Sequence, residues 1–254
     1  MLNPKHILIT GASSGVGAAL AELYAAHGIR LSLHGRNVER LEQIAVSARQ
    51  RGAVVFAKPG DITDAEAVAA WIGECDASQP LDLVIANAGI SAGTGGGLET
   101  PAQTRAILNV NLDGVLNTVQ PVVPMMVARR RGQIAIMSSL ASFRGFPGAP
   151  TYCASKAAVR IFGEALRGEW ARKGVEVSVI CPGFIKTPMT DVNRFPMPFI
   201  MTAERAARII YHGLSRNRAR IAFPFPMYAI ICLLAALPQD WLPVAHLPRK
   251  SQNS

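Results

Sequence analysis

The sequence TGASSGVG at residues 10–17 stands between a short apolar run, residues 7–10, and a stretch rich in helix-forming residues. Gly11 permits a sharp turn after a strand, and Gly15 lets the backbone approach a diphosphate closely. Gly17 allows a helix to contact a strand, and the N-terminus of that helix presents free N–H groups to phosphate. The glycines alone would fit an ordinary turn, but their position at the first strand–helix junction predicts a dinucleotide-binding loop.

Short apolar runs alternate with longer helical stretches along the rest of the chain. The predicted strands are residues 7–10, 31–34, 54–57, 81–86, 133–137, 175–180 and 220–223. The predicted helices are residues 16–27, 39–51, 64–75, 155–173 and 203–216, with a long helical tract over 101–130 that Pro121 and Pro124 interrupt. This alternation implies a mainly parallel sheet covered on both faces.

We therefore predict a single-domain α/β protein with a doubly wound parallel sheet of the Rossmann type. Residues 1–220 are predicted to form the dinucleotide-binding and catalytic part. Residues 221–254 are predicted to form an apolar C-terminal extension of the same domain. Such folds bind their ligands outside the carboxyl ends of the strands.

The composition excludes several classes of protein. Half of the 254 residues are apolar, which excludes a disordered chain, and four cysteines are too few for a disulfide scaffold. We expect reduced thiols in a cytoplasmic protein. The five histidines are scattered without ligand spacing, so we predict no metal site.

The formal charge of +9 is unevenly distributed. Residues 1–100 hold 7 basic and 10 acidic residues, whereas residues 101–254 hold 19 basic and 7 acidic residues. No aromatic interleaving or nucleic-acid motif accompanies the basic residues, so we predict no nucleic-acid partner. The run from Arg129 to Arg131 is predicted to be a solvated turn at a helix C-terminus, where cations suit the helix dipole.

The end of the second predicted strand indicates which dinucleotide binds. An NAD site places a carboxylate there for the ribose hydroxyls, whereas an NADP site places a cation for the 2′-phosphate. The segment His34-Gly35-Arg36-Asn37 has no carboxylate and one guanidinium, which suits phosphate. We predict NADP(H) rather than NAD(H), although Arg36 could also be a solvated side chain at a strand end.

Two further motifs follow in order: Asn87-Ala88-Gly89 after the predicted fourth strand, and YCASK at residues 152–156. Together with the Gly-x-x-x-Gly-x-Gly spacing of the first loop, they make the chain resemble the short-chain dehydrogenase/reductase family. The resemblance covers residues 5 to about 215 in order. Ala86 stands where the family usually has asparagine, a mild departure that does not affect cofactor binding.

The resemblance implies roles for residues at matching positions. Ser139 precedes Tyr152 by the interval typical of the family, and the implied catalytic residues are Asn111, Ser139, Tyr152 and Lys156. Asn111 would hold a water in a proton relay. The implied contacts are Asp61 and Ile62 with the adenine ring, residues 87–89 with the adenosine side, and Pro182, Gly183, Ile185 and Thr187 with the nicotinamide carboxamide. With the first loop, the cofactor-binding residues are Gly11, Ser13, Ser14, Gly15, Val16, Gly17, Arg36, Asp61, Ile62, Asn87, Ala88, Gly89, Tyr152, Lys156, Pro182, Gly183, Ile185 and Thr187.

Tyr152 and Lys156 are four residues apart, so on a helix they lie on one face. A free tyrosine has a pKa of about 10, and a neighbouring ammonium is expected to lower it. Tyr152 could then donate a proton to a carbonyl oxygen as hydride arrives, or accept one from an alcohol in the reverse reaction. Ser139 would hydrogen-bond the substrate oxygen. Ser138 is adjacent and could take that role, but the spacing favours Ser139.

No charged residue occurs between Ile221 and Gln239. The 11 residues between Pro226 and Pro238 would extend only about 16 Å as a helix, which is too short to cross a bilayer. Three interpretations remain open: a helix packed on the sheet edge or on a second subunit, a wall of an apolar substrate pocket, and a helix in peripheral contact with a membrane through residues 221–239. Arginines before the stretch, and Arg249 and Lys250 after it, suit an anionic lipid surface.

The sequence thus predicts an NADP(H)-dependent oxidoreductase that interconverts a carbonyl and a secondary alcohol, on a substrate that the apolar tail suggests is lipophilic. The family resemblance implies a homodimer or homotetramer. A 3-oxoacyl-thioester reductase is the nearest alternative, although the long tail argues against it. A non-catalytic dinucleotide-sensing protein is a second alternative, and the presence of Tyr152 and Lys156 argues against that one.

Overall fold

The computed structural model describes residues 3–91, 99–193 and 195–238. Its strands are β1 His6–Thr10, β2 Arg30–Gly35, β3 Val54–Pro59, β4 Leu83–Ala86, β5 Gly132–Met137, β6 Val175–Pro182, β7 Ile185–Lys186, β8 Met201–Thr202 and β9 Arg220–Phe223. Its α-helices are α1 Gly15–Tyr24, α2 Val38–Gln50, α3 Ala65–Ser78, α4 Pro101–Leu108, α5 Gly114–Val119, α6 Val122–Ala128, α7 Pro150–Trp170, α8 Ala203–Ser215 and α9 Phe225–Ala236.

Seven strands form one parallel sheet in the order β3-β2-β1-β4-β5-β6-β9. The chain moves outward from β1 in one direction through β2 and β3, then returns to place β4 on the other side of β1. This reversal is a topological switch point, where the loops after β1 and β4 diverge and leave a crevice. The structure confirms the predicted α/β fold with a doubly wound parallel sheet.

Helices bury apolar side chains against both faces of the sheet. One face is covered by α1, α2 and α8, which contribute Leu20, Leu41 and Ile210 to a cluster with β1 and β2 residues. The other face is covered by α3, α5, α6 and α7, with Trp71 and Val159 among the buried side chains. The central strands are buried on both faces, which explains why they are continuous apolar runs rather than alternating ones.

The predicted helical tract over residues 101–130 is divided into several pieces. Helices α4 and α5 are continuous except for a π-helical turn at Asn109–Asp113, and Pro121 then separates α5 from α6. The ladder between β7 and β8, in which Ile185 pairs with Met201, is not predicted from the sequence. Two-residue strands are too short to produce a periodic pattern.

The arginine run at residues 129–131 follows α6 as predicted, with Arg130 and Arg131 exposed, but two of its side chains also make specific contacts. The guanidinium of Arg129 donates to a carboxylate oxygen of Asp76 at 2.9 Å and to the carbonyl of Leu81 at 2.6 Å. Arg131 forms an ion pair with Asp82 at 3.0 Å. Two of the three cations therefore connect the end of α6 to the segments around β4, because carboxylates from α3 and from the start of β4 lie beside that turn.

The C-terminal stretch contains both a strand and a helix. The edge strand β9 pairs with β6 and crosses the predicted boundary at residue 220, and α9 follows it directly. Residues 239–254, with Arg249 and Lys250, lie outside the described residues. Within the described ranges, no helix combines the length and the hydropathy that a membrane span requires.

Candidate active site

The loop after β1 leaves the N-terminus of α1 open. Gly11 and Gly15 both have positive φ angles, +67° and +57°, which an L side chain rarely adopts. No side chain among the described residues caps the first turn of α1, and that turn contains no acidic residue. Its free N–H groups and positive helix dipole therefore face a cleft at the carboxyl ends of the strands, where they suit a diphosphate.

The helix also approaches the loop closely. A Cβ atom on Gly17 would lie 2.6 Å from the side-chain nitrogen of Asn87 and even nearer to the carbonyl oxygen of Gly11. That amide nitrogen donates to the carbonyl oxygens of Thr10 and Gly11, at 2.9 and 3.1 Å. The Asn87 side chain thus connects the loop after β1 to the segment after β4, and Gly17 lies directly beside these hydrogen bonds.

Gly17→Ala is expected to lower the free energy of unfolding by about 2 kcal/mol, because the added methyl must push backbone atoms apart. NADPH affinity is expected to fall with it, since the loop moves away from the N-terminus of α1. Chemical denaturation and fluorescence titration measure the two effects. Gly73→Ala in α3 is the matched control, since a Cβ there meets nothing within 4 Å and should stabilise the helix slightly. Equal stability of the two variants would contradict this role of Gly17.

The end of the cleft beside β2 contains two cations. Arg36, Asn37 and Arg40 all line it, and the backbone N–H of Arg40 donates to the side chain of Asn37 at 2.7 Å as the cap of α2. Both arginines are exposed, and neither forms an ion pair with a residue in the described ranges, although Arg36 lies close enough to Asp61 for its charge to act on that carboxylate. The sequence predicts Arg36 at this place but not Arg40, which lies in the first turn of α2, just after the Asn37 cap that could have identified it.

Asp61 and Ile62 occupy the same end of the cleft. Ile62 is buried and lines it, whereas the Asp61 carboxylate turns back to accept from the N–H and hydroxyl of Thr63, each at 2.9 Å. These hydrogen bonds, helped by the positive charge of Arg36, lower the pKa of Asp61. Asp61 is thus near the cleft without lining it.

Asn111 lies on the π-helical turn between α4 and α5, fully buried. Its carbonyl oxygen accepts from the N–H of Ile90 at 2.8 Å, and its amide donates to the Ile90 carbonyl and to the Ser155 hydroxyl. A Cβ on Gly89 would stand 3.2 Å from both the Asn111 oxygen and the Lys156 ammonium nitrogen. A π turn widens the helix by one residue, which directs Asn111 into the space behind the cleft wall.

Tyr152 and Lys156 lie one turn apart on α7 and both line the cleft, as the spacing predicts. The Lys156 nitrogen lies 5.9 Å from the centre of the Tyr152 ring and donates to the carbonyl oxygen of Met137 at 3.0 Å. Burial lowers the pKa of Lys156 to about 8. Burial also raises the pKa of Tyr152, opposed by hydrogen bonding with Ser139. In the protein alone, desolvation of the phenolate thus outweighs the favourable contact with Ser139.

The two adjacent serines have different partners. The Ser138 hydroxyl donates to the backbone carbonyl of Lys156 at 2.7 Å and so joins the end of β5 to α7. The Ser139 hydroxyl accepts from the N–H of Ala141 at 3.1 Å and is directed toward Pro182 and Tyr152. Ser138 is thus committed to the backbone, and Ser139 is the serine beside the tyrosine.

The predicted site residues converge on one cleft of about 350 Å³. Sixteen of them line it: Gly11, Ser13, Ser14, Gly15, Val16, Arg36, Ile62, Asn87, Ala88, Gly89, Tyr152, Lys156, Pro182, Gly183, Ile185 and Thr187. The other four lie directly behind or beside these: Gly17 below the loop, Asp61 beside Ile62, Asn111 behind Gly89, and Ser139 between Tyr152 and Pro182.

Comparison with known proteins identifies the family of the chain. The family model of short chain dehydrogenases matches residues 5–196, about three quarters of the sequence. The chain belongs to the short-chain dehydrogenase family of oxidoreductases.

Relatives of this short-chain dehydrogenase match it over most of its length. An uncharacterised oxidoreductase of Myxococcus xanthus is 38% identical over 235 residues, which are 92% of this chain and 93% of that one. A short-chain dehydrogenase from Sphingobium yanoikuyae, solved with NADPH, has a TM-score of 0.79 and 26% identity, covering 92% and 96% of the two chains. One from Burkholderia phymatum, solved with NAD, has a TM-score of 0.82 and 24% identity, covering 91% and 92%.

Further residues of this short-chain dehydrogenase line the cleft without having been predicted. They are His34, Gly35, Asn37, Arg40, Ile90, Val110, Met137, Ser138, Pro188, Met189 and Thr190. Ten of these eleven lie within three residues of a predicted site residue, because they belong to the same loops at the carboxyl ends of the strands. Within the described ranges, no cluster of three or more histidine, cysteine or acidic side chains could hold a metal ion.

Proposed function

We propose that this short-chain dehydrogenase transfers hydride between NADP(H) and a carbonyl or secondary alcohol of a lipophilic substrate. The observation that carries the proposal is the convergence of Tyr152, Lys156 and Ser139 beside an uncapped helix N-terminus at the switch point of the sheet. A general acid, a cation and a hydrogen-bond donor are thus next to a place that suits a diphosphate.

A nicotinamide dinucleotide fits the residues that are present. Gly11, Gly15 and the first turn of α1 would hold the diphosphate, and a side chain at either glycine would collide with Ala88 or Thr187. Ile62 and residues 87–89 would contact the adenosine portion. Pro182, Gly183, Ile185 and Thr187 would contact the carboxamide end. The relative from Sphingobium yanoikuyae was solved with NADPH, which supports this class of cofactor.

When bound, the reduced cofactor supplies a hydride and, once oxidised, a positive charge that favours the phenolate form of Tyr152. In the direction of reduction, the Tyr152 hydroxyl donates its proton to the carbonyl oxygen. Ser139 donates a hydrogen bond to the same oxygen and stabilises the developing negative charge. Lys156, held by the Met137 carbonyl, places an ammonium beside the tyrosine and the ribose side of the cleft. Asn111 fixes the Ile90 backbone and would position a water that returns protons to Lys156.

The walls on the substrate side support an apolar substrate. Ile90, Pro188 and Met189 line the cleft, and Met189 is 39% exposed there. Behind Gly183 lie Met227 of α9 and Leu140, which belong to a cluster of apolar side chains. A ketone or aldehyde with a chain or ring of hydrocarbon would bury its surface against these residues.

Arg36 and Arg40 are expected to select NADPH by contacting the 2′-phosphate. Arg36→Ala and Arg40→Ala should each raise the Kd for NADPH about 10-fold or more, because a hydrogen bond to a charged group contributes about 1.5–3 kcal/mol. The Kd for NADH should change little, since it lacks that phosphate. Fluorescence titration measures both constants, with Arg51→Ala, an arginine just beyond α2, as the matched control. Equal affinity of the parent protein for NADPH and NADH would refute the role of both arginines.

A panel of carbonyl compounds, followed by the absorbance of NADPH, tests the substrate class. Long-chain and cyclic ketones should give a higher kcat/KM than small polar ketones of the same reactivity. A preference for small polar compounds would contradict the proposed lipophilic substrate.

The homodimer or homotetramer, and the cytoplasmic location, stay predictions.

A further inference from the structure

The helix α9 has the sequence FPMYAIICLLAA and contains no charged residue. Its inner side packs on the protein, where Ile231 is buried in a cluster with Leu140, Val179 and Cys181. The ring of Tyr228 packs edge-on against that of Phe143, with ring centroids 5.4 Å apart. Ile231 is the only buried residue of α9 among those the structure describes. The helix is thus anchored along one side and uncovered along the other.

The uncovered side forms a continuous apolar surface, which we name the α9 face and define as Phe225, Pro226, Ala229, Ile230 and Leu233. The exposed fractions of Phe225, Ile230 and Leu233 are 73%, 53% and 65%. Their spacing of three to five residues places them along one side of the helix. Such large apolar side chains side by side on a surface indicate contact with a partner or a lipid phase.

Arginines contact α9 or precede it in the chain. Residues 205–238 contain five arginines and no carboxylate. The Arg144 guanidinium donates to the Leu234 carbonyl of α9 at 2.8 Å. Arg220 donates to the Tyr228 hydroxyl at 3.1 Å and is also ion-paired with Glu164, so Arg144 is the contacting arginine whose charge no ion pair in the described ranges offsets. Arg216 and Arg218, just before β9, are exposed and form no ion pair with any residue in the described ranges.

We propose that the α9 face docks on the surface of an anionic lipid bilayer. An apolar helix bordered by arginines, with no carboxylate of its own, complements a hydrocarbon boundary beneath negative headgroups. The 12 residues of α9 extend about 18 Å, so the helix lies in the interface and does not cross it. Pairing of two α9 faces from two copies would instead bring like-charged arginines together, which the charge pattern disfavours.

Vesicle flotation of the full-length protein tests this proposal without requiring substrate or NADPH, so its failure is distinguishable from failure of the proposed function. The protein should float with vesicles of phosphatidylcholine that contain about 30% phosphatidylglycerol, and much less with phosphatidylcholine alone. Binding should weaken when the salt concentration rises from about 0.05 M to about 0.5 M, because the Debye length shrinks.

Variants separate the α9 face from other exposed apolar residues. Ile230→Glu with Leu233→Glu should reduce the floated fraction to that of a non-binding protein. Val46→Glu with Val54→Glu makes the same chemical change at two exposed valines elsewhere and should leave flotation unchanged. Arg216→Glu with Arg218→Glu should remove the preference for anionic vesicles, and this variant leaves the core intact if the first does not fold.

Three results would overturn the proposal. One is that the parent protein does not float with anionic vesicles. Another is that the variant with Ile230→Glu and Leu233→Glu and the variant with Arg216→Glu and Arg218→Glu both float to the same extent as the parent. The third combines two measurements. If the parent does not float, and light scattering shows that Ile230→Glu with Leu233→Glu lowers the mass of an oligomer, the α9 face contacts a second copy of the chain.

Discussion

Tyr152→Phe is expected to lower kcat by about 100-fold to 10,000-fold, because general acid catalysis by a positioned side chain contributes that much. The phenylalanine ring keeps the packing of Tyr152 on α7 and loses only the hydroxyl that Ser139 hydrogen-bonds. The Kd for NADPH should therefore stay within a few-fold of the parent value. Single-turnover kinetics with the best ketone of the carbonyl panel measures the chemical step directly.

Tyr24→Phe is the matched control for this experiment. Tyr24 is a buried tyrosine of α1 whose pKa burial also raises, and it packs against Tyr211 away from the cleft. Its replacement should leave kcat unchanged. Activity of Tyr152→Phe within a few-fold of the parent would mean that the proton comes from another group, and the proposed mechanism would be wrong.

Lys156→Met is expected to give a protein that is more stable at neutral pH and nearly inactive. The Lys156 side chain is buried, and burial lowers its pKa from 10.5 to about 8. The difference corresponds to about 3 kcal/mol of unfavourable free energy at pH values where the lysine is charged in both states. Loss of the hydrogen bond to the Met137 carbonyl offsets part of the gain, so the net increase should be about 1–2 kcal/mol.

The pH dependence identifies the cause of this stabilisation. Between about pH 8 and 10.5 the unfolded chain binds the proton of Lys156 and the folded protein does not, so the stability of the parent rises with pH in that window. Below pH 8 both states hold the proton, and the parent carries the full penalty. The advantage of Lys156→Met should therefore be complete at pH 7 and shrink toward pH 10.5.

Thermal denaturation at pH 7 and pH 10 measures this difference, and Tm at pH 7 should rise by about 2–6 °C. Lys173→Met is the control, since that lysine is half-exposed beside Glu169 and its loss should change Tm little at either pH. A Lys156→Met variant that is less stable than the parent at pH 7 would contradict the cost assigned to the buried ammonium. Cofactor-dependent activity should fall by at least about 100-fold in the same variant.

The sequence predicts the fold well because a parallel sheet buried on both faces produces unmistakable apolar runs between helices. The six strands from residue 7 to residue 180, and the last at residues 220–223, all correspond to strands of the main sheet. The bounds of the helices are less accurate: α7 begins at Pro150, five residues before the predicted start. Proline at the first turn of a helix is favourable, so the helix extends N-terminally to Pro150.

The candidate site is predicted by the order of its motifs rather than by any one of them. Features that depend on tertiary contacts could not be predicted in the same way. The π turn that directs Asn111 inward arises from packing against Ile90 and Ser155, and no periodicity reports it. The ion pairs of Arg129 and Arg131 depend on carboxylates that are more than 45 residues away in the chain.

The two hydrogen bonds between β5 and α7 have a consequence for how this enzyme could diversify. Ser138 holds the backbone of Lys156, and Lys156 holds the backbone of Met137, so the helix turn that carries Tyr152 and Lys156 is attached to the sheet. The apolar lining at Pro188 and Met189 is instead carried by the segment after Gly183. Substitutions in that segment can therefore change the apolar lining one residue at a time while Tyr152 and Lys156 keep their alignment, which separates the inheritance of chemistry from the inheritance of selectivity.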